Sequence, residues 1–293
     1  MQERELAAVI ARAAEDGTRF LNLSGRGLTR IPASIGTLVE LEQLYLHDNA
    51  LPGLPDEIGQ LRKLWVLYVH DNQLTELPAS IGGLRELDQL FVRDNRLETL
   101  PECVGDLVML TELELDNNRL RELPDRIGDL RNLERLYLDG NELASLPARI
   151  GDLLSLRELE LYGNRLRELP DRIGDLRNLE RLNLNCNELA SLPARIGDLV
   201  SLRELQLYGN RLTALLPEIG RLTSLTDLQL GGNKLLDLPL ELRTLTNLVK
   251  LSGLDEEPLM ADEYLYENPG YWSATAQQIL RAYFEFGFGR PTR

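Results

Sequence analysis

NRLRELPDRIGDLRNLERLYLDGNELASLPARIGDLLSLRELELYG spans residues 118–163, and residues 164–209 repeat it with five changes in 46 positions. The changes are Tyr137 to Asn183, Asp139 to Asn185, Gly140 to Cys186, Leu154 to Val200 and Glu160 to Gln206. Each half holds two units of 23 residues, and the same period continues on both sides. A fixed period outweighs the prior that 293 residues form one or two ordinary domains, and it describes one elongated body whose units bury a core only by stacking.

From residue 18 the unit reads L-x-x-L-x-L-x-x-N-x-L-x-x-L-P-x-x-I-G-x-L, with its asparagine at Asn49, Asn72, Asn95, Asn118, Asn141, Asn164, Asn187, Asn210 and Asn233. Arg26 takes that place in the first unit, as suits an atypical terminal repeat. The alternating L-x-L triplet predicts a short strand with one buried face, and the asparagine side chain can hydrogen-bond backbone in a tight turn and again one layer up. Stacked units then give a parallel sheet and an asparagine ladder. The leucine-proline pair and the glycine after isoleucine predict a single helical or 3₁₀ return turn. The ninth unit moves its proline to Pro217, and the tenth has Leu242-Arg243 in place of isoleucine-glycine.

Both ends depart from the repeat. Leu6, Val9, Ile10, Ala13 and Ala14 form one helical stripe before Gly17, a cap for the first repeat. After Leu251 an acidic run leads to the turn signal Asn268-Pro269-Gly270, and Ser273 can then cap a helix carrying Ala276, Ile279, Leu280, Tyr283 and Phe284 on one face. The tail from Phe286 to Pro291 reads as a strip completing that cap. The expected organisation is an N-terminal helical cap over 1–17, an array of about ten repeats over 18–251, and a C-terminal cap with helix and tail over 252–293.

These residues resemble the leucine-rich repeat family, and the L-P-x-x-I-G-x-L form is similar to its intracellular subclass related to Ras-suppressor and plant Ras-group proteins. The resemblance implies an α/β fold: a right-handed horseshoe solenoid with a parallel concave β-sheet, short helical or 3₁₀ convex segments and helical caps at both ends. It also implies a concave face that binds proteins, small GTPases and their regulators among them.

Composition narrows the partner. A net charge of −15 disfavours a phosphate backbone, so nucleic acid is excluded and a basic protein surface is favoured. Cys103 and Cys186 lie in different repeats and build no disulfide framework, and no stretch has the pattern of a signal peptide or a membrane span. The expectation is a cytoplasmic monomer with no membrane contact and no cofactor.

Positions four and two before each asparagine face away from the leucines. Tyr45, Tyr68, Phe91, Glu114, Tyr137 and Glu160 fall in the first column, and His47, His70, Arg93, Asp116, Asp139, Tyr162 and Tyr208 in the second. Trp65 joins them as a seventh aromatic withheld from the core, and aromatics on an open sheet serve as binding anchors. Repeats two to four thus offer an aromatic zone, and repeats five to seven an acidic one containing Glu112, Glu114, Asp116, Asp139, Glu158 and Glu160. A partner with an apolar knob flanked by arginine or lysine complements both. Four of the five changes between the copies (183, 185, 186 and 206) fall on this strand or its loop, which points to the same face.

Two other readings compete with a non-enzymatic binding scaffold. His47 and His70 adjoin in one column beside Asp48 and Asp71, a possible metal- or pH-sensing pair, and Ser24 next to His47 is a possible hydrolytic couple, although no pocket or oxyanion hole is implied. An open sheet closes no coordination sphere, so no metal ligands are assigned. Near-identical repeats also fit a purely structural or designed consensus-like array.

Overall fold

The computed structural model describes residues 3–253 and 275–286. Two compact units form, Met1–Leu143 with Asp152–Leu156, and Ala144–Gly151 with Arg157–Arg293. Each L-x-L triplet becomes a strand of three residues. In the first unit β1 (Phe20–Asn22), β2 (Gln43–Tyr45), β3 (Val66–Tyr68), β4 (Gln89–Phe91), β5 (Glu112–Glu114) and β6 (Arg135–Tyr137) pair in parallel, leucine opposite leucine, as in Leu67↔Leu90 and Leu113↔Leu136. In the second, β7 (Glu158–Glu160), β8 (Arg181–Asn183), β9 (Glu204–Gln206), β10 (Asp227–Gln229) and β11 (Lys250–Ser252) repeat the pattern.

The inward side chains are almost wholly buried: Leu90, Val92, Leu113, Leu115 and Leu136 all have 0% exposure. Burial supplies the driving force, roughly 1.5–3 kcal/mol per fully buried leucine, but no direction. Direction comes from the asparagines. Asn118 Nδ2 donates to the carbonyls of Leu115 (3.0 Å) and Asp116 (3.2 Å) in its own repeat and to Val92 (3.1 Å) in the preceding one, while its Oδ1 accepts the Leu97 N–H at 3.0 Å. Asn72, Asn95 and Asn141 in the first unit, and Asn210 and Asn233 in the second, repeat the same four bonds. Arg26 stays exposed, and its backbone N–H joins the ladder at Asn49 Oδ1.

The return segments are five-residue 3₁₀ turns. Proline, fixed near φ −65°, precedes them, and its carbonyl accepts the isoleucine N–H, as in Ile127 to Pro124 at 3.0 Å. Pro217 enters its turn one residue later, and Leu216 supplies the extended residue and the carbonyl. The glycine that follows the turn's isoleucine, or Val104 in one turn, is required by close approach: a Cβ on Gly105 would stand 2.5 Å from the Arg126 carbonyl oxygen of the next turn. Where the last described 3₁₀ turn (Leu240–Thr244) carries Arg243 instead, no further 3₁₀ turn stacks on it among the described residues, and Arg243 pairs with Glu285 at 3.6 Å.

Helix α1 (Glu3–Glu15) lays Leu6, Ile10 and Ala13 over the first repeat and stops at Gly17, whose φ of +60° lets the Thr18 N–H reach the Ala13 carbonyl at 2.9 Å. Helix α2 (Ala276–Phe286) buries Ala276, Leu280 and Tyr283, and the Tyr283 hydroxyl donates to Asp237 Oδ1 at 2.6 Å. Thr275 caps it: Thr275 N–H donates to Gln278 Oε1 at 2.8 Å and its Oγ1 accepts the Gln278 N–H at 3.4 Å. Ser273, the turn at Asn268-Pro269-Gly270 and the tail beyond Phe286 lie outside the described residues.

Asn118→Ala removes four bonds and strands buried backbone groups, so chemical denaturation should show a loss of about 2–4 kcal/mol. The residue before each ladder asparagine turns left-handed; Asp48, Asp71, Asp94 and Asn117 tolerate this and Gly140 is at ease, but Cys186 holds φ +56° with a Cβ and no polar compensation. Cys186→Gly should therefore raise stability by about 1 kcal/mol in the same assay.

Candidate functional site

In the first unit the alternation of each strand sends one face of the sheet, opposite the leucines, to solvent. Parallel register then stacks like positions: Tyr45, Tyr68, Phe91, Glu114 and Tyr137 face one another in turn across β2 to β6. Tyr45 and Tyr68 meet edge to face with centroids 4.6 Å apart, and Tyr68 lies flat on Phe91 at 4.3 Å and 3°. Phe20, at the first position of β1, adds an edge contact to Tyr45 at 5.0 Å and remains 49% exposed. Sequence reasoning sets Phe20 aside, although the pairing of Phe20 with Gln43 marks it as an outward position.

One anchor needs correction, and a second stands apart from the others. Phe91 is only 8% exposed, because the Tyr68 ring covers it, so it supports the surface more than it forms it. Trp65 is 38% exposed but precedes β3, out of step with Val66 and Tyr68, and takes no place in the ring stack. Tyr162 and Tyr208 are exposed, at 47% and 46%, and Glu160 is buried at 9%; all three belong to the second unit.

His47 and His70 stack in parallel with centroids 4.6 Å apart. Each ring turns Nδ1 to the next residue's carboxylate, Asp48 at 2.8 Å and Asp71 at 2.7 Å. The left-handed backbone at those aspartates folds their side chains back onto the imidazoles. The Ser24 hydroxyl points to Asn22 Oδ1 at 2.7 Å, not to His47. Among the described residues no group of three or more His, Cys, Asp and Glu is placed to hold a metal ion, and no helix is long and apolar enough to cross a membrane.

The acidic zone is partly neutralised. Arg135 grips Glu112 with two bonds of 3.2 and 3.1 Å, and Gln89 Nε2 adds a third at 3.0 Å. In the second unit Arg181 reaches Glu160 at 3.8 Å and Glu204 at 3.1 Å. Glu114 and Asp116 differ. Burial raises the carboxyl of Glu114, opposed by Arg93 at 3.6 Å. Burial also pushes Asp116 up to about 6, aided by the Asp139 charge and opposed by the Asp139 N–H, which one oxygen accepts at 2.8 Å, and by Arg93, which forms no ion pair with it.

In the second unit Asn185 Oδ1 accepts the Tyr208 N–H at 2.7 Å and its Nδ2 donates to Gln206 Oε1 at 2.9 Å, while Asn183 Oδ1 accepts the Asn185 N–H at 3.1 Å. Three of the exchanged positions therefore bond to one another. A recess of about 470 Å³ in this unit is lined by Glu180, Ser201, Arg203, Ser224, Thr226 and Asn247, and Ser224, Thr226 and Asn247 donate to the backbone carbonyls of Val200, Arg203 and Thr223.

Stacked 23-residue strand-and-3₁₀ repeats bearing a polar and aromatic open sheet define a solenoid of the interaction-platform class. The leucine-rich repeat region family matches residues 18–95, 90–163 and 148–261, and the chain belongs to the leucine-rich repeat family. No curated protein sequence matches it. It is similar to a leucine-rich repeat protein of Leptospira interrogans, at 33% identity over 83% of this chain and 80% of that one, with a TM-score of 0.55. It is also similar to the plant peptide hormone receptor RGFR1, solved in complex with RGF2, at 30% identity over 76% of this chain and 41% of that one (TM-score 0.60). The leucine-rich repeat ectodomain of the receptor kinase GASSHO1/SCHENGEN3 from Arabidopsis thaliana, solved with CASPARIAN STRIP INTEGRITY FACTOR 2, shares 29% identity over 80% of this chain and 35% of that one (TM-score 0.61). The chain thus spans well under half the length of these two receptors.

The Asp116 carboxyl yields a pH prediction. An acid whose pKa rises on folding opposes stability at neutral pH, and that opposition fades as pH falls through about 6 towards the usual 3.8. Asp116→Asn keeps the oxygen that accepts the Asp139 N–H. It should gain about 1–2 kcal/mol over wild type at pH 7, with the difference vanishing near pH 4, by denaturant titration at each pH.

Proposed function

We propose that this protein is a non-enzymatic binding module that recognises a protein partner through the open sheet face of its first unit. The observation that carries this is the contiguous ring stack of Phe20, Tyr45 and Tyr68 held on a solvent-facing sheet beside the half-buried carboxylates Glu114 and Asp116. Rigid aromatic rings bury much area at small entropic cost. The complexes of the plant receptors support the reading, since the related fold there carries bound factors. The Ser24 hydroxyl turned to Asn22 and the histidines occupied by their neighbouring aspartates favour binding over chemistry. The repeat form makes a small GTPase or its regulator the first partner class to test, in the cytoplasm, with the protein acting as a monomer.

Affinity capture from the source cell with wild type and with Tyr45→Ala/Tyr68→Ala, each checked by circular dichroism, tests this. Loss of a hot-spot pair should weaken recovery of a specific partner at least about tenfold. Equal recovery by the folded double variant would remove the first-unit face as the docking site.

A further inference from the structure

The open face of the first unit is unbalanced in charge where the ring stack ends. Asp94, Glu112, Glu114, Asp116 and Asp139 stand there against Arg93 and Arg135, and Arg135 holds Glu112 with two bonds. Asp94 is turned aside, accepting a bond from Asn117 Nδ2 at 2.9 Å. Of the other three, Glu114 and Asp116 occupy adjoining outward positions on β5 and its exit, with one cation, Arg93, at 3.6 Å from Glu114. Register sets Glu114 between Phe91 on one side and Tyr137 on the other, so the carboxylate is flanked by aromatic positions in its own column.

We infer that this face docks a protein segment presenting an arginine next to an apolar side chain, with the guanidinium over Glu114 and Asp116 and the apolar group on Tyr45 and Tyr68. The inference rests on the protein-binding reading above and deepens it. A planar guanidinium matches both features of the place: it forks onto paired carboxylate oxygens and stacks on aromatic faces, whereas a lysine ammonium, more strongly hydrated, gains less from the rings. An anionic partner would meet five carboxylates and no unengaged guanidinium except Arg93. Two partly desolvated carboxylates that share the single cation Arg93 gain from a second cation brought by a partner, because the cost of removing them from water is already met by the fold.

The test uses the full chain, isotope-labelled, titrated in separate experiments with N-acetyl-Phe-Arg-amide and with the same dipeptide carrying citrulline, which keeps the shape and removes the charge. The arginine probe should give saturable shifts at the amides of Tyr68, Phe91, Glu114 and Asp116 with a Kd on the order of 1 mM, and the citrulline probe should bind at least about tenfold more weakly. The isosteric variant Glu114→Gln/Asp116→Asn, with its own amide spectrum as the control for folding, should bring the arginine probe down to the citrulline level. Equal binding of the two probes at these amides would overturn the arginine seat and leave the aromatic docking face standing. Absence of saturable shifts from either probe would overturn both.

Discussion

A buried primary amide with four backbone partners is the constraint on which the structure depends. Apolar burial would be satisfied by many stackings of leucine-rich turns, since it has no direction. Each ladder asparagine, by donating to its own strand exit and to the one before and accepting from the preceding turn, ties three backbone segments in a fixed relation. That relation sets the register of the strands, and register decides which side chains face out. A slip of one residue would send Tyr68 inward and Leu67 outward. The ring stack, the imidazole pair and the carboxylates of β5 therefore owe their positions to residues that never reach the surface.

The fold was legible because its determinants are local and repeated. Strand, ladder, proline and glycine could each be tied to one physical need, and nine copies supplied the averaging. What escaped was set by relations between side chains. Phe91 reads as an open position, yet the ring above it closes it off; Trp65 reads as one more strand aromatic, yet it sits before the pleat begins. Glu112 reads as part of an acidic zone, yet Arg135 on the next strand neutralises it. The reciprocal bonds of Thr275 and Gln278 at the start of α2 likewise depend on a pair of side chains and not on spacing alone.

The duplicated stretch also changes meaning. Its substitutions at 183, 185 and 206 read as a ligand-facing set, but Asn183, Asn185 and Gln206 bond among themselves and to the Tyr208 N–H. Amides there close a neutral network, whereas Asp116 in the first unit accepts the equivalent N–H with a carboxylate that carries its charge to the surface. The same backbone demand, an acceptor for the next repeat's N–H, is thus met once with charge and once without. Only the charged version leaves something for a partner to neutralise.

The glycine of the return turn carries a consequence for how such a chain changes over evolutionary time. Wherever that glycine is present the backbone of another turn can settle on it, so a copied block of repeats can be spliced in at such a joint without inventing a new interface. The near-identity of residues 118–163 and 164–209 is the mark of that kind of event. In the Leu240–Thr244 turn Arg243 stands where that glycine would be, and its side chain pairs with Glu285. A turn with a side chain at that place offers no such joint, so copying by this route is confined to the repeats that keep the glycine.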